Sequence, residues 1–256
     1  MIFLDTQQII TCALDIGEQM LISGAEVSRV ELAIRMICTA YGCRRADVFI
    51  ITSSMILTVE GPDGVYATQT RRITDTATDL DKLHKLNALS RRICAETPCF
   101  QDVQAQLKDI CKATAFPFWL QVLASGLIAF AFTLFFGGGW IDGLVASGLG
   151  MGLRVLVRLL QKAAANQIIV NVVASFCLSV GAILLVRHGI GQDVNKILIG
   201  NIMLLIPGIA LTNSLRDLIS GDIITGLLRF LDAVLVAAAI AAGYILAAQL
   251  LGGGLV

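Results

Sequence analysis

"PFWLQVLASGLIAFAFTLFF", residues 117–136, runs for twenty residues without a charge, inside an uncharged window from Ala113 to Ile141. A bilayer core of about 30 Å needs about 20 apolar residues in a helix, so this stretch has the length and character of a membrane span. Trp119, near its start, is placed for an interfacial aromatic belt. Upstream, residues 1–115 mix charges throughout, which sets a boundary near Phe116-Pro117.

The rest of the chain agrees with a bilayer as its solvent. Hydrophobic residues make up 56% and charged residues 15%, and the mean hydropathy is +0.80, far too apolar for a soluble enzyme of 256 residues. Nineteen basic and nineteen acidic residues give a net charge of zero, with no basic run to suggest nucleic acid or a polybasic lipid anchor. Four more spans are expected at about 140–160, 168–187, 197–215 and 223–251, making five in residues 116–256. The second carries Arg154 and Arg158 near one end, where long basic side chains snorkel to the headgroups.

Orientation follows from the loops. Arg154, Arg158 and Lys162 lie between spans two and three, Arg216 and Arg229 around the junction of spans four and five, while "FGGGWIDG" and the tail "LGGGLV" have no Lys or Arg. The positive-inside tendency then places the N-terminus in the cytoplasm and the C-terminus outside, in a membrane crossed several times. "MIFLDTQQII" lacks the basic n-region of a secretory signal, so the mature chain is expected to start at Met1.

Residues 1–115 are expected to form a small cytoplasmic α/β domain. Ile9, Ala13, Ile16 and Met20 share one helix face, and Val27, Val30, Ile34, Ile37 and Tyr41 another, with Gly24 and Gly42 where helix C-terminal glycines belong. Met55, Leu57 and Val59 alternate with Ser54, Ile56 and Thr58 before "GPDG", which predicts a β-hairpin. Two more amphipathic helices are expected around Leu80–Ile93 and Val103–Cys111.

Enzyme motifs are missing: there is no G-x-S-x-G and no phosphate-binding glycine loop after a strand. The seven cysteines form no C-x-x-C, and no paired histidines complete a zinc spacing, so neither metal nor cofactor is expected. His84 and His188 read as exposed, and the cysteines as reduced structural thiols.

"SGAEVSRVE" at 23–31 with "AYG" at 40–42, the hairpin, "GGGWIDG" at 137–143 and "LIPGIALTNSLRDLISGDIITGLLRFLDA" at 205–233 together resemble the bacterial threonine/serine exporter family. The resemblance covers nearly the whole chain and is closest to the split, two-protein form, in which a smaller multi-span membrane protein of the same family is the partner. It implies proton-motive-force-driven export of small hydroxy amino acids, or of dicarboxylates such as succinate. The resemblance implies no enzyme activity and no cofactor. A membrane-anchored sensor or accessory protein is the alternative class.

Polar groups inside apolar segments narrow the candidate site, because a polar group facing lipid is costly unless it has a partner. In span three, Asn171, Ser175 and Ser179 fall on one line, as interhelical hydrogen-bond glue or as the lining of a path. Gly148 and Gly152 in span two, and Ala233, Ala237 and Ala241 in span five, have the four-residue spacing of close helix packing. Such small-residue faces also suggest an oligomer.

Span four carries the polar candidate Asn201 in its first half and is expected to break into two half-helices at Pro207-Gly208. Beyond the break, Asn213 would hydrogen-bond substrate, Arg216 would pair with its carboxylate, and Asp217 would take a proton or an ammonium group. The rival reading is a kinked end solvated at the cytoplasmic interface. Asp222, Arg229 and Asp232 extend the cluster, with Arg229 and Asp232 expected as an i, i+3 ion pair. Asp142, Asp222 and Asp232 are the fallback proton carriers. Glu26 and Arg29 are gate candidates, or else ordinary groups on the solvated first turn of a helix.

Overall fold

A computed structural model describes residues 5–74, 77–112, 116–163 and 166–251. The chain forms two compact units. The first takes the described residues up to Lys112 together with Ile209–Phe230; the second takes those up to Gly208 from Phe116 and those from Leu231 onward.

The first unit is built from α1 (Thr6–Ile22), α2 (Val27–Ala40), β1 (Arg45–Ile51), β2 (Ser54–Glu60), β3 (Tyr66–Arg72), α3 (Leu80–Glu96) and α4 (Phe100–Lys112). Its core follows the periodicities of the sequence: Ile9, Ala13, Ile16 and Met20 of α1 and Val27, Val30, Ile34 and Ile37 of α2 are fully buried. Tyr41 lies past the end of α2, half-buried, its hydroxyl donating to the Pro98 carbonyl at 2.8 Å.

Both helices end in the same way. Gly24, at φ +91°, donates to the Leu21 carbonyl, and Ala25 reaches back to Met20 at 3.0 Å; Gly42 and Cys43 repeat the pattern on Thr39 and Cys38. This is the Schellman closure, in which a left-handed residue without Cβ satisfies carbonyls the helix leaves open.

The predicted hairpin is β2–β3, with Gly64 donating to Gly61 at 3.0 Å and Asp63 accepting from Val65 N–H and the Thr6 hydroxyl. A further strand, β1, pairs antiparallel with β2, placing Phe49 opposite Ile56 and Val48 opposite Leu57, so the sheet has the order β1-β2-β3. Met55, Leu57 and Val59 turn one face of β2 into the core, against α1 and α2. Buried Cys12 shows how inert the core thiols are: burial, with Asp15 nearby, pushes it up to about 12. His84 and His188 are exposed, as expected.

The second unit contains α5 (Phe118–Phe135), α6 (Trp140–Ala163), α7 (Gln167–Arg187), α8 (Val194–Ile202) and most of α10 (Ile223–Leu250). Four helices, α5, α6, α7 and α10, are long and apolar enough to cross a membrane, with 18, 24, 21 and 28 residues. The fold is therefore that of an α-helical membrane protein with a small antiparallel sheet near its start. Among the described residues these four, and not a fifth, have that length; the expected fourth span divides at Pro207-Gly208, as the sequence led us to expect, into α8, nine residues, and α9 (Gly208–Ile219), twelve residues. At 1.5 Å per residue these reach about 14 Å and about 18 Å, short of a 30 Å hydrocarbon core. Pro207 stands at the break, as its missing N–H and its clash with the preceding turn require.

Small residues let the second unit pack closely. A Cβ on Gly200 of α8 would lie 2.1 Å from the Thr133 hydroxyl of α5, and one on Gly243 of α10 would lie 2.4 Å from the Val172 carbonyl of α7. Gly148 and Gly152 were expected to serve this purpose and do not; nothing described lies within 4 Å of where their Cβ atoms would be. Gly150, two residues out of phase and so on the opposite side of α6, makes the contact instead, against Ala129. In α10 likewise, Ala233 is buried but Ala237 and Ala241 face outward, and the packed line continues through Ile240, Gly243 and Ala247. The snorkelling arginines lie along α5: Arg154 donates to Gln121, and Arg158 sits 3.9 Å over the Phe118 ring.

Candidate functional site

The polar cluster of the first unit is built by a helical hairpin and a turn. Helix α9 ends in a third Schellman closure, with Gly221 at φ +96° and Asp222 N–H donating to the Asp217 carbonyl at 2.9 Å. The chain reverses there into α10. The two helices cross closely at Gly226, whose Cβ would lie 2.7 Å from Leu218 and 2.9 Å from the Ser214 carbonyl. That crossing brings Arg229, in the second turn of α10, over Asp217.

Asp217 is 1% exposed and accepts from Arg229 Nη1 at 2.9 Å through Oδ2; its Oδ1 has no hydrogen-bond partner. Burial pushes the carboxyl above its usual range. The Arg229 guanidinium pulls it back, as does the nearby Val27 amide, while Asp222 and Glu26 push it further up.

The turn between α1 and α2 supplies the other half of the cluster. Arg229 Nη2 donates to the Ala25 carbonyl at 3.1 Å, Asn213 Nδ2 to the Gly24 carbonyl at 3.2 Å, and Arg216 pairs with Glu26. Gly24 and Ala25 close the end of α1 through their N–H groups, leaving their carbonyls to face the hairpin. Glu31 of α2 faces Asp222, and that carboxylate with burial holds the Glu31 carboxyl above its usual range in spite of Arg35.

The structure thus brings Glu26, Asn213, Arg216, Asp217, Asp222 and Arg229 together. Two candidates from the same stretches of sequence, Arg29 and Asp232, take no part in it. Arg29 is exposed and makes no ion pair among the described residues. The expected Arg229–Asp232 pair is not formed, because Arg229 is taken by Asp217 and the Ala25 carbonyl; Asp232 is exposed. The carbonyls of Gly24 and Ala25 were missed by sequence reasoning. The only signal for them was the glycine that ends α1.

In the second unit the polar stripe of α7 is buried. Ser175 donates to the Ile240 carbonyl of α10 at 2.7 Å, Asn171 accepts from Gln167, and the Ser179 hydroxyl has no partner. Asn201 of α8 is fully buried, with its Nδ2 donating to Ile197 and its Oδ1 unpaired. Asp142 is also buried, but three backbone N–H groups surround it, from Gly139, Gln192 and Asp193. It staples the start of α6 to the start of α8. No cluster of three metal-ligating side chains occurs among the described residues.

Comparison with known proteins gives a consistent picture. The model of the family described as "Putative threonine/serine exporter" matches residues 11–251. A "Probable succinate transporter subunit YjjP" from Klebsiella aerogenes is 28% identical over 96% of this chain and 94% of its own length. A "Probable threonine/serine exporter" from Mycobacterium tuberculosis is 23% identical over 95% of this chain but 46% of its own, and a "Threonine/serine exporter" from Corynebacterium glutamicum is 25% identical over 94% and 51%. The chain therefore spans about half the length of these two exporters and nearly all of the succinate transporter subunit. No solved structure matches the chain.

Proposed function

Because the chain belongs to the threonine/serine exporter family, a family of membrane transporters, we propose that it is the larger subunit of a two-component exporter of small amino acids, threonine and serine, driven by the proton-motive force. Its partner is a smaller membrane protein that supplies what the relatives of twice its length carry in their other half. The observation that carries the reading is Asp217: a carboxylate shut away from solvent, paired on one oxygen only, and placed ten residues after a helix break. A transporter driven by protons needs such a group, whose charge the protein can afford to gain and lose.

One proton is sufficient energetically. At a potential of about 150 mV, moving one charge yields about 3.5 kcal/mol, which sustains a gradient of a few hundred fold.

Dicarboxylate export is a second reading, favoured by the near-complete length match to the succinate transporter subunit. Proteoliposomes holding the chain and its small partner decide between them. Under an imposed proton gradient, efflux of labelled threonine supports the first reading and efflux of succinate alone supports the second. Failure of both leaves a membrane-anchored sensor or accessory protein. The proposed location is the bacterial inner membrane with the N-terminus in the cytoplasm, and reporter fusions at residue 1 and after Val256 test it.

A further inference from the structure

The cluster in the first unit holds more than a proton carrier. The α1–α2 turn touches the α9–α10 hairpin through three separate contacts: the Gly24 carbonyl on Asn213, the Ala25 carbonyl on Arg229, and Glu26 on Arg216. Arg229 makes both a contact to the turn and a contact to Asp217, and the Val27 amide just past the turn also faces the carboxyl, so the state of Asp217 and the hold of the turn share the same groups.

Resting on the export reading, we propose that the α1–α2 turn is a proton-keyed latch: it is closed on the α9–α10 hairpin while Asp217 carries a proton and lets go when that proton is lost. Arg229 is the positioning residue that links the two events.

The charges around Asp217 set the direction. Facing it are Arg229 from α10, Glu26 from the turn, Asp222 from the reversal between α9 and α10, and the Val27 amide from α2; Arg216 of α9 is engaged by Glu26, and Glu31 of α2 stands behind Asp222. Asp217, Asp222 and Glu26 thus share two guanidiniums, and the carboxylate with a bare oxygen is the most buried of the three. A proton on Asp217 removes the surplus negative charge from the interior. In keeping with this, burial and the two acidic neighbours hold its carboxyl above the usual range even beside Arg229.

Linkage then fixes the sign. A closed form that binds the proton more tightly than the open form is stabilised by it, and an opened Asp217, returned to water, falls back toward its ordinary value near 3.9 and ionises. Opening of the latch and release of the proton are one equilibrium. In an exchange cycle the proton would leave to the more alkaline side as the turn lets go of the hairpin.

Hydrogen–deuterium exchange on the intact chain in lipid nanodiscs tests this without any transport readout. After correction for the intrinsic pH dependence of exchange, amides of residues 23–27 and 209–222 are expected to lose about tenfold in protection, for each unit by which the closed form raises Asp217, as pH rises from the ordinary carboxylate value near 3.9 to the raised one. Asp217→Asn should hold the acid level of protection across the whole range. Asn213→Ala, which removes one contact and leaves the titrating group, should lower protection at every pH and keep the slope. A flat wild-type profile, or a wild-type slope surviving in Asp217→Asn, overturns the latch. Proton-driven efflux persisting beside a flat exchange profile would overturn the latch alone, whereas a normal exchange response in a protein that moves no substrate would overturn the export reading alone.

Discussion

Arg229 reaches back twelve residues to Asp217, Nη1 to Oδ2 at 2.9 Å, and passes over Asp232, which is three residues away on its own helix. The tight crossing of α9 and α10 at Gly226 makes the longer reach the better one, since it buries both charges against each other.

A buried pair is most sensitive to the loss of one partner. Arg229→Gln should destabilise the chain most at alkaline pH, by up to about 3–5 kcal/mol, because there it leaves the Asp217 charge buried and unpaired, and less in acid, where Asp217 takes up a proton. Adding Asp217→Asn should restore most of that loss. Thermal unfolding of the single and double variants in detergent measures the coupling, and simple additivity would show that the pair is not energetically joined.

Transport by Asp217→Asn should fall at least about tenfold and lose its dependence on the pH gradient, with Asp217→Glu milder. Gradient-driven efflux from proteoliposomes is the assay. Rates and pH dependence at wild-type values would reduce Asp217 to a structural anchor. Asp142 would be an unpromising substitute for it, since three backbone N–H groups already satisfy its carboxylate.

Pro207→Ala should slow efflux several-fold while leaving membrane insertion intact. The proline marks a break between two helices too short to span, and an alanine there permits them to join. Comparing protein level in the membrane with efflux per molecule separates the two effects.

Glu31 offers a pH test of the first unit. Its carboxyl is raised by burial and by Asp222, so the folded state binds extra protons, and the associated stability is full at low pH and lost as pH rises through the folded value. Glu31→Gln should therefore raise the melting temperature at neutral pH and leave it unchanged in acid. A variant less stable at neutral pH would mean that the Arg35 contact outweighs the repulsion.

Gly243→Ala should destabilise the second unit, since its Cβ would have to lie 2.4 Å from the Val172 backbone carbonyl, which cannot swing aside as a side chain does. Gly148→Ala, on an open face of α6, should be tolerated. Melting temperatures that rank the two variants the other way round would contradict this packing.

Local rules carried much of this fold. The 3.6-residue faces of α1 and α2, their closing glycines, the "GPDG" hairpin and the break at Pro207 are each set by a few neighbouring residues, and each is found in place. What depends on helix phase or on crossing angle was harder to read. Spacing alone gave Gly148 and Gly152 the pattern of a packed face, but only the partner helix determines that Gly150 is the one facing inward. Strand β1 went unread because its alternation is short and begins with Arg45, Ala46 and Asp47. At the site, the acidic and basic side chains were visible as candidates, but their pairing was not, because the i, i+3 rule sees one helix and the Arg229–Asp217 pair joins two.

The closed end of α1 has one further consequence. Two of the three contacts that the α1–α2 turn makes with the hairpin are offered by main-chain carbonyls, and one of the residues concerned is already alanine. A systematic alanine scan would therefore register Glu26, would register Gly24 only through the strain of an L-residue at φ +91°, and would pass over Ala25, so the carbonyl contacts themselves would go unseen. The turn's contribution would emerge only from changes to backbone shape, such as a D-amino acid at Gly24, which keeps the left-handed turn, set against an L-valine there, which does not.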